Sequence, residues 1–200
     1  MFAMQQFSLI IPKLSLAAGS AWNPADKSAN ATLSGNNTIL NSSSGISWAK
    51  GTVSYASGKY YFTVTVGATT HQIGAGIGKS SANPSGYFDT NSWGLQVAGV
   101  NWFILTNNGA TAYDTTLTAA ANDIINIAYD ASGGKLYLGI NGSYRKSDGS
   151  SGGDPGAGSN PSLSGLSGTF FPMGIAAGAS SNVTINTTPS SPPTGFTVWG

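Results

Sequence analysis

The stretch that most limits the possible folds is residues 124–144, where two runs of alternating apolar and polar residues flank a short Gly-rich segment. Alternation with a period of two is typical of strands that bury one face. An Asn-Gly pair follows the second run, and both residues tolerate the positive φ angles of a tight reversal. The stretch therefore predicts an antiparallel hairpin over a hydrophobic core, with these apolar residues on its buried face: Ile125, Ile127, Tyr129, Leu136, Leu138 and Ile140.

Short runs of β-branched and aromatic residues, separated by turn residues, recur along the rest of the chain. Such residues favour strands, and no segment shows the amphipathic period and the caps of a helix. Short strands at regular spacing are typical of a sandwich. The sequence therefore predicts an all-β fold, an antiparallel two-sheet β-sandwich, with further strands at 31–33, 38–40, 48–53, 57–66, 72–78, 93–97, 101–105, 170–177 and 182–187.

The strand predicted at 72–78 carries glycine at every second position, at Gly74, Gly76 and Gly78. Since side chains alternate between the two faces of a strand, one face of this strand has none. Glycine inside a strand often marks a place where another backbone comes close. We therefore expect a neighbouring backbone or a large aromatic ring to lie against this face.

Charged residues are scarce: they make up 8% of the chain, against about 25% in typical domains. The net charge is +1, and the only adjacent basic pair is Arg145-Lys146. Binding to nucleic acid needs a patch of Lys and Arg that neutralises phosphates, so we expect no nucleic-acid partner. The absence of cysteine excludes disulfides and thiolate metal sites. This composition suits a protein that works outside a cell.

Composition divides the chain into an N-terminal arm at 1–20, a sandwich domain at 21–187 and an extended C-terminal tail at 188–200. The arm alternates loosely around a proline, as an edge strand would, and it lacks the basic start of a secretion signal. It could dock on a partner or pack on its own sandwich. Apolar side chains in the arm and the tail would not be left in water, so the candidate docking residues are Phe7, Leu9, Ile11, Phe196 and Trp199.

The longest irregular segment is 146–168, which is dominated by Gly, Ser, Asp and Pro. Loops of this length are uncommon in compact domains, and the composition favours a disordered linker. No stretch of the chain approaches the roughly 20 apolar residues of a membrane helix, so we expect no membrane insertion.

The supply of catalytic groups is poor, with His71 as the single histidine and seven acidic residues, all Asp. The single G-x-S-x-G match, at 149–153, lies in an irregular segment with no predicted strand and helix around it, so it does not form the nucleophile elbow that would pair a serine with the histidine. Asp123 and Asp130 bracket one predicted strand, so they fall at its opposite ends instead of together across a sugar. We expect both to cap turns. The sequence therefore favours a protein that is not an enzyme, and it predicts no metal site and no cofactor.

Aromatic residues are candidates both for core packing and for binding. Those within strand patterns are expected in the core: Trp22, Trp48, Tyr61, Trp93, Phe103 and Phe171. Aromatic and polar residues in or beside loops are what a saccharide or a protein epitope would meet. We take five of them as a candidate binding rim: Tyr87, Asp89, Asn107, Tyr113 and Arg145.

The order of motifs in residues 22–187 resembles that of the B30.2/SPRY domain family, whose fold is a concanavalin-like jelly-roll sandwich. Two departures are Thr63, where the family usually has Glu, and Asn122, where Gly is common. The matching segments, in order, are 57–64 (SGKYYFTV), 73–77 (IGAGI), 93–95 (WGL), 122–130 (NDIINIAYD), 135–142 (KLYLGING) and 171–172 (FP).

The opening segment 22–34 is similar to that of SPRY domains in tailed-bacteriophage structural proteins. This resemblance implies a non-enzymatic virion protein, made in the host cytoplasm and displayed on the capsid or tail for host-surface adhesion or particle decoration. It implies other virion proteins as partners, a host-surface glycan or protein as ligand, and multimers in the particle. The alternative is an adaptor that binds a protein or peptide through the loops of a SPRY domain. A carbohydrate-active enzyme is a third interpretation, which the few acids disfavour.

Overall fold

The computed structural model describes residues 19–67, 72–98, 101–106, 109–112 and 118–200. For residues 98, 103–106 and 110–112 the description covers the backbone alone. The expectations for several residues lie outside this description and stay predictions: Phe7, Leu9, Ile11, His71, Asn107 and Tyr113, and the side chain of Phe103.

Fifteen strands are found in the described part of the chain, and they form two sheets. The seven-stranded sheet contains β1 (Trp22–Lys27), β4 (Ile46–Gly51), β6 (Ile73–Gly78), β7 (Ser92–Ala98), β8 (Asn101–Thr106), β9 (Gly109–Ala112) and β13 (Phe171–Ala177). The eight-stranded sheet contains β2 (Ala31–Ser34), β3 (Ile39–Ser42), β5 (Lys59–Val66), β10 (Ile124–Asp130), β11 (Lys135–Ile140), β12 (Ser143–Tyr144), β14 (Asn182–Asn186) and β15 (Thr197–Val198).

The strand order is β1-β4-β13-β6-β7-β8-β9 in the seven-stranded sheet and β12-β11-β10-β5-β14-β3-β2 in the eight-stranded sheet. Neighbours along these two orders are antiparallel, and β15 adds a short parallel pairing to β5. The predicted all-β, two-sheet antiparallel sandwich is therefore confirmed. No helix in the described residues is long and apolar enough to cross a membrane.

The hairpin predicted from residues 124–144 is confirmed as β10 and β11. Ile125 pairs with Ile140 and Ile127 pairs with Leu138 across the two strands. All six apolar residues assigned to the buried face belong to the core between the sheets. Period-two alternation thus predicted both the pairing and the face that the hairpin buries.

Aromatic rings fill one part of the core between the sheets. Phe170 is fully buried, and its ring lies 5.5 Å from that of Trp93 and 5.2 Å from that of Tyr129. The sequence placed Phe171 in the core, but Phe171 is only half-buried. Successive side chains of an extended chain point to opposite faces, so the two phenylalanines cannot both enter the core, and Phe170 is the one that does.

Loop 79–91 folds over the outer face of the seven-stranded sheet, where β6 and β7 carry glycines. A Cβ at Gly76 would collide with the carbonyl oxygen of Trp93 on β7, which confirms the expected close approach of a backbone. The ring of Phe88 is fully buried over the sheet, and a Cβ at Gly94 would lie 2.6 Å from it. Glycine on both strands thus makes room for the neighbouring backbone and for the loop.

The outer face of the eight-stranded sheet is covered by loop 145–168, which is not the disordered linker that its composition favours. Leu163 exchanges two backbone hydrogen bonds with Leu136, of 2.9 and 3.1 Å, along the edge of β11. The Ser162 hydroxyl donates to the Arg145 carbonyl at 2.6 Å and accepts from the Leu138 amide at 2.9 Å. Composition fails here because these bonds join residues that are far apart in sequence.

The C-terminal residues complete this cover, which corrects the prediction that Phe196 and Trp199 dock on a partner. Trp199 is fully buried in the core, its ring 5.3 Å from that of Phe62, and its indole N–H donates to the Val53 carbonyl at 3.0 Å. Phe196 is buried on the outer face, with its ring 6.4 Å from that of Tyr137. The apolar side chains of segment 188–200 do avoid water, but on their own sandwich.

We predict that Trp199→Ala lowers the free energy of unfolding by about 3–5 kcal/mol, since it empties a large buried site. Ser190→Ala is the matched control, because Ser190 is exposed on the same segment; its effect should stay within about 0.5 kcal/mol. Urea unfolding followed by tryptophan fluorescence and circular dichroism measures both. Wild-type stability for Trp199→Ala would contradict its place in the core.

Candidate functional site

A groove of about 350 Å³ opens on the outer face of the eight-stranded sheet. Its floor consists of Tyr61 on β5, Asn126 on β10 and Tyr144 on β12. One wall is loop residues 153–156, and the other is residues 191–194 of the C-terminal segment. The two walls meet at one point, where a Cβ at Gly156 would lie 3.6 Å from the Cβ of Thr194.

Strand alternation explains why polar groups reach this floor. Phe62 and Val64 point into the core, so Tyr61, which precedes Phe62, points outward. In the same way Ile125 and Ile127 point inward, which turns Asn126 to the outer face. The floor side chains of Tyr61 and Asn126 therefore stand on the two central strands that also hold the core, and rigid strands fix their positions.

A chain of hydrogen bonds links the floor residues. The Gly142 amide donates to Asn126 Oδ1 at 2.7 Å, and Asn126 Nδ2 donates to Tyr61 Oη at 2.8 Å. The hydroxyls of Tyr61 and Tyr144 are hydrogen-bonded to each other. Tyr61 is 5% and Asn126 is 6% exposed, so the bond between their side chains is shielded from competing water. A satisfied buried network of this kind holds its members in one geometry.

The Tyr144 hydroxyl stays protonated at any ordinary pH. Burial raises its pKa above the usual value, and the nearby Tyr61 hydroxyl raises this pKa further through charge repulsion and through their hydrogen bond. A hydrogen bond raises the pKa of the group that donates it, because it favours the neutral form.

The groove contains one charged group and no basic one among its described lining residues. This group is the exposed Asp154, whose Oδ1 accepts a hydrogen bond from the Ala157 amide at 2.9 Å. Pro155 and Pro193 add apolar ring surface to the walls. The site thus offers hydroxyl, amide and carboxylate groups beside apolar rings.

Two residues of the predicted rim, Tyr87 and Asp89, line a second hollow of about 260 Å³ within loop 79–91. Tyr87 is 43% exposed there. The carboxylate of Asp89 braces its own loop through three hydrogen bonds. Its Oδ2 accepts from the Asn83 amide at 2.6 Å, and its Oδ1 accepts from the Ser92 hydroxyl at 2.7 Å and the Asn91 amide at 3.0 Å.

Arg145 does not line the hollow that Tyr87 and Asp89 line. This corrects the assignment of Arg145 to the predicted binding rim. It is 7% exposed and lies under loop 145–168, with its amide donating to the Leu138 carbonyl at 2.9 Å. Its loop covers the eight-stranded sheet, whereas the loop of Tyr87 covers the seven-stranded sheet. The outer faces of the two sheets point away from each other, so these residues cannot form one surface.

The expected turn-capping roles of Asp123 and Asp130 are confirmed. Asp123 Oδ2 accepts from the Ala120 amide at 2.8 Å, and Asp130 Oδ1 accepts from the Gly133 amide at 2.8 Å. Within the described ranges, no three His, Cys, Asp or Glu side chains come close enough to hold a metal ion.

The groove was missed from the sequence, although one signal was present. Asn126 interrupts an isoleucine run at an outward position of a central strand, where a polar amide needs a partner. The partner, Tyr61, is 65 residues away in sequence. Neither wall could be anticipated, because one was taken for a disordered linker and the other for an extended tail that docks on a partner.

We predict that Asn126→Ala destabilises the fold by about 1–3 kcal/mol, because it leaves the Gly142 amide and the Tyr61 hydroxyl without their buried partner. Asn83→Ala is the control, since Asn83 is exposed and its side chain has no hydrogen bond to any described residue. Thermal and urea unfolding would compare the two variants. Equal stability of both would show that the network does not hold the floor.

Comparison with known proteins identifies the fold. No protein-family model and no curated protein sequence matches the chain. Among solved structures, the SPRY domain of human HERC1 is similar with a TM-score of 0.60 and 14% identity, over 82% of this chain and 96% of that one. The TRIM65 PSpry domain is similar with a TM-score of 0.58 and 13% identity, over 84% of this chain and 92% of that one. The chain therefore has a SPRY-like β-sandwich fold.

Proposed function

We propose that this chain is a non-enzymatic recognition domain that holds its partner in the groove over Tyr61, Asn126 and Tyr144. The observation that carries the proposal is a fixed polar network at the floor of an open groove. Sites that bind small groups combine apolar walls with a few well-placed polar groups, and this groove has both. The SPRY-like fold supports a binding role, since the resemblance to that family implies recognition without catalysis.

The described acids support binding over hydrolysis. A glycosidase needs two carboxylates on either side of the bond that it cleaves, and Asp154 is the only acid among the groove's described lining residues. Asp89, Asp123 and Asp130 accept hydrogen bonds from backbone amides of loops and turns. Their carboxylates act as structural braces.

The proposal is tested by measuring ligand binding to a variant in which a large side chain blocks the groove. Ser191→Trp places a large ring on an exposed wall residue, and Ser164→Trp adds the same ring at an exposed position of loop 145–168 that does not line the groove. The full chain is offered random peptides displayed on yeast and an array of immobilised glycans. We expect ligands that bind the wild type and Ser164→Trp and bind Ser191→Trp at least about tenfold more weakly. No ligand in either format, or ligands unaffected by Ser191→Trp, would contradict the proposal.

A second proposal concerns the setting: we infer that the domain is part of a tailed-bacteriophage virion, on the capsid or tail. The similarity of segment 22–34 to virion SPRY domains and the low charge content support it. In this setting the partners would be other virion proteins and the host surface, and the domain would be multimeric. With Phe196 and Trp199 buried, attachment would fall to the arm at 1–20.

Mass spectrometry of particles purified from a strain that carries the coding sequence tests the virion setting. We expect the chain in the particles at a fixed copy number, and cryo-electron microscopy would then show its place. Particles of full composition without the chain would contradict the virion setting and favour an adaptor that binds a protein or peptide partner.

A further inference from the structure

We propose that the groove over Tyr61, Asn126 and Tyr144 binds a neutral saccharide of one or two sugar rings. This inference rests on the proposed function and names the class of ligand. It is supported by the charge of the lining, by a count of hydrogen-bond donors and acceptors, and by the pairing of the floor strands.

The lining charge selects against anions. Asp154 contributes a carboxylate, and no Lys or Arg is among the described lining residues that could offset a ligand's negative charge. Phosphate, sulfate and carboxylate groups would meet repulsion without a cation to bind them. The ligand should therefore be uncharged in the part that enters the groove.

The hydrogen-bonding groups of the groove require a ligand that both accepts and donates. The two phenols have two hydroxyl protons, and their mutual hydrogen bond uses one of them. Tyr61 Oη already accepts from Asn126, so one phenol proton remains, and it has no acceptor among the described residues. On the wall, Asp154 Oδ2 remains as an acceptor, because the Ala157 amide occupies Oδ1. Sugar hydroxyls can bond to both groups, since each donates and accepts.

The shape of the groove fits a short ligand with apolar faces. Its volume of about 350 Å³ is near the lower end of the roughly 300–1,000 Å³ of small-ligand sites. Of the rings that line it, those of Tyr144 and Pro193 are partly exposed and give it apolar surface. The carbon-bound hydrogens on one face of a sugar ring can pack against such rings while the hydroxyls reach the floor and wall.

The floor strands do not favour an added peptide strand, which would need a free sheet edge. β10 is paired on both sides, with β5 and β11, and β5 is paired with β10, β14 and β15. At β12 the carbonyl of Tyr144 accepts from the amides of Gly152 and Gly153, both at 3.2 Å. Because the backbone groups of these strands are already hydrogen-bonded, a ligand in the groove must be bound by side chains. A sugar can be bound in this way.

Saturation-transfer NMR and titration calorimetry on the full chain test the inference. The probes are neutral oligosaccharides (cellotriose, maltotriose, mannotriose and chitotriose) and, as the charged comparison, trigalacturonate, in which every ring carries a carboxylate. We expect at least one neutral probe to bind and trigalacturonate not to bind. Asp154→Asn keeps an acceptor for the Ala157 amide and removes the free carboxylate oxygen, so it should weaken neutral-probe binding by roughly 10- to 100-fold.

Asp148→Asn is the matched control, because Asp148 is an exposed aspartate of the same loop outside the groove, and it should bind as the wild type does. Ser191→Trp should abolish neutral-probe binding. If displayed peptides bind and are lost with Ser191→Trp while every neutral saccharide fails, the saccharide inference is overturned and the recognition function stands. If sugars bind equally to wild type, Asp154→Asn and Ser191→Trp, the groove is not their site and the inference fails. If neither peptides nor glycans bind, both proposals fail.

Discussion

The burial of Trp199 is the contact on which the groove depends. Its indole lies in the core between the sheets and is held by the Val53 carbonyl, while Phe196, three residues earlier, packs on the outer face of the eight-stranded sheet. The two anchors fix the C-terminal segment from both sides of the sheet. Residues 191–194, which precede these anchors, are thereby laid across the sheet as a wall. A hydrophobic contact in the core thus places polar groups at the surface.

Each sheet of this sandwich is covered on its outer face by a layer made of loops. On the seven-stranded sheet the layer is loop 79–91, which rests on a surface flattened by glycine and buries Phe88. On the eight-stranded sheet the layer is loop 145–168 together with the C-terminal segment, and it leaves the groove where its two parts meet. A chain with so few charges can keep its outer faces hydrogen-bonded in this way, because serine, threonine and asparagine side chains bond to backbone groups without being ionised.

The sequence predicted the sandwich because its strands alternate cleanly. The hairpin of β10 and β11, the glycine face of β6 and the turn caps at Asp123 and Asp130 all follow from neighbours a few residues apart. Two assignments were wrong. Arg145 of the predicted binding rim is buried, because exposure in a loop depends on what the loop packs against. Phe170 occupies the core position assigned to Phe171, because strand alternation admits only one of the two to the core.

The sequence by itself determined the local periodicity, and with it the strands and the two-sheet architecture. Only the tertiary structure decided that Tyr61, which the sequence assigned to the core, lies on the outer face and meets Asn126 there. It also decided that loop 145–168 is a cover and not a linker, and that the C-terminal segment folds back. The physical reason is the separation along the chain over which each kind of interaction acts. Alternation and turn geometry act between adjacent residues, whereas the groove is built from groups on β5, β10, β12, a loop and the C-terminal segment, whose contacts exist only after both sheets have formed.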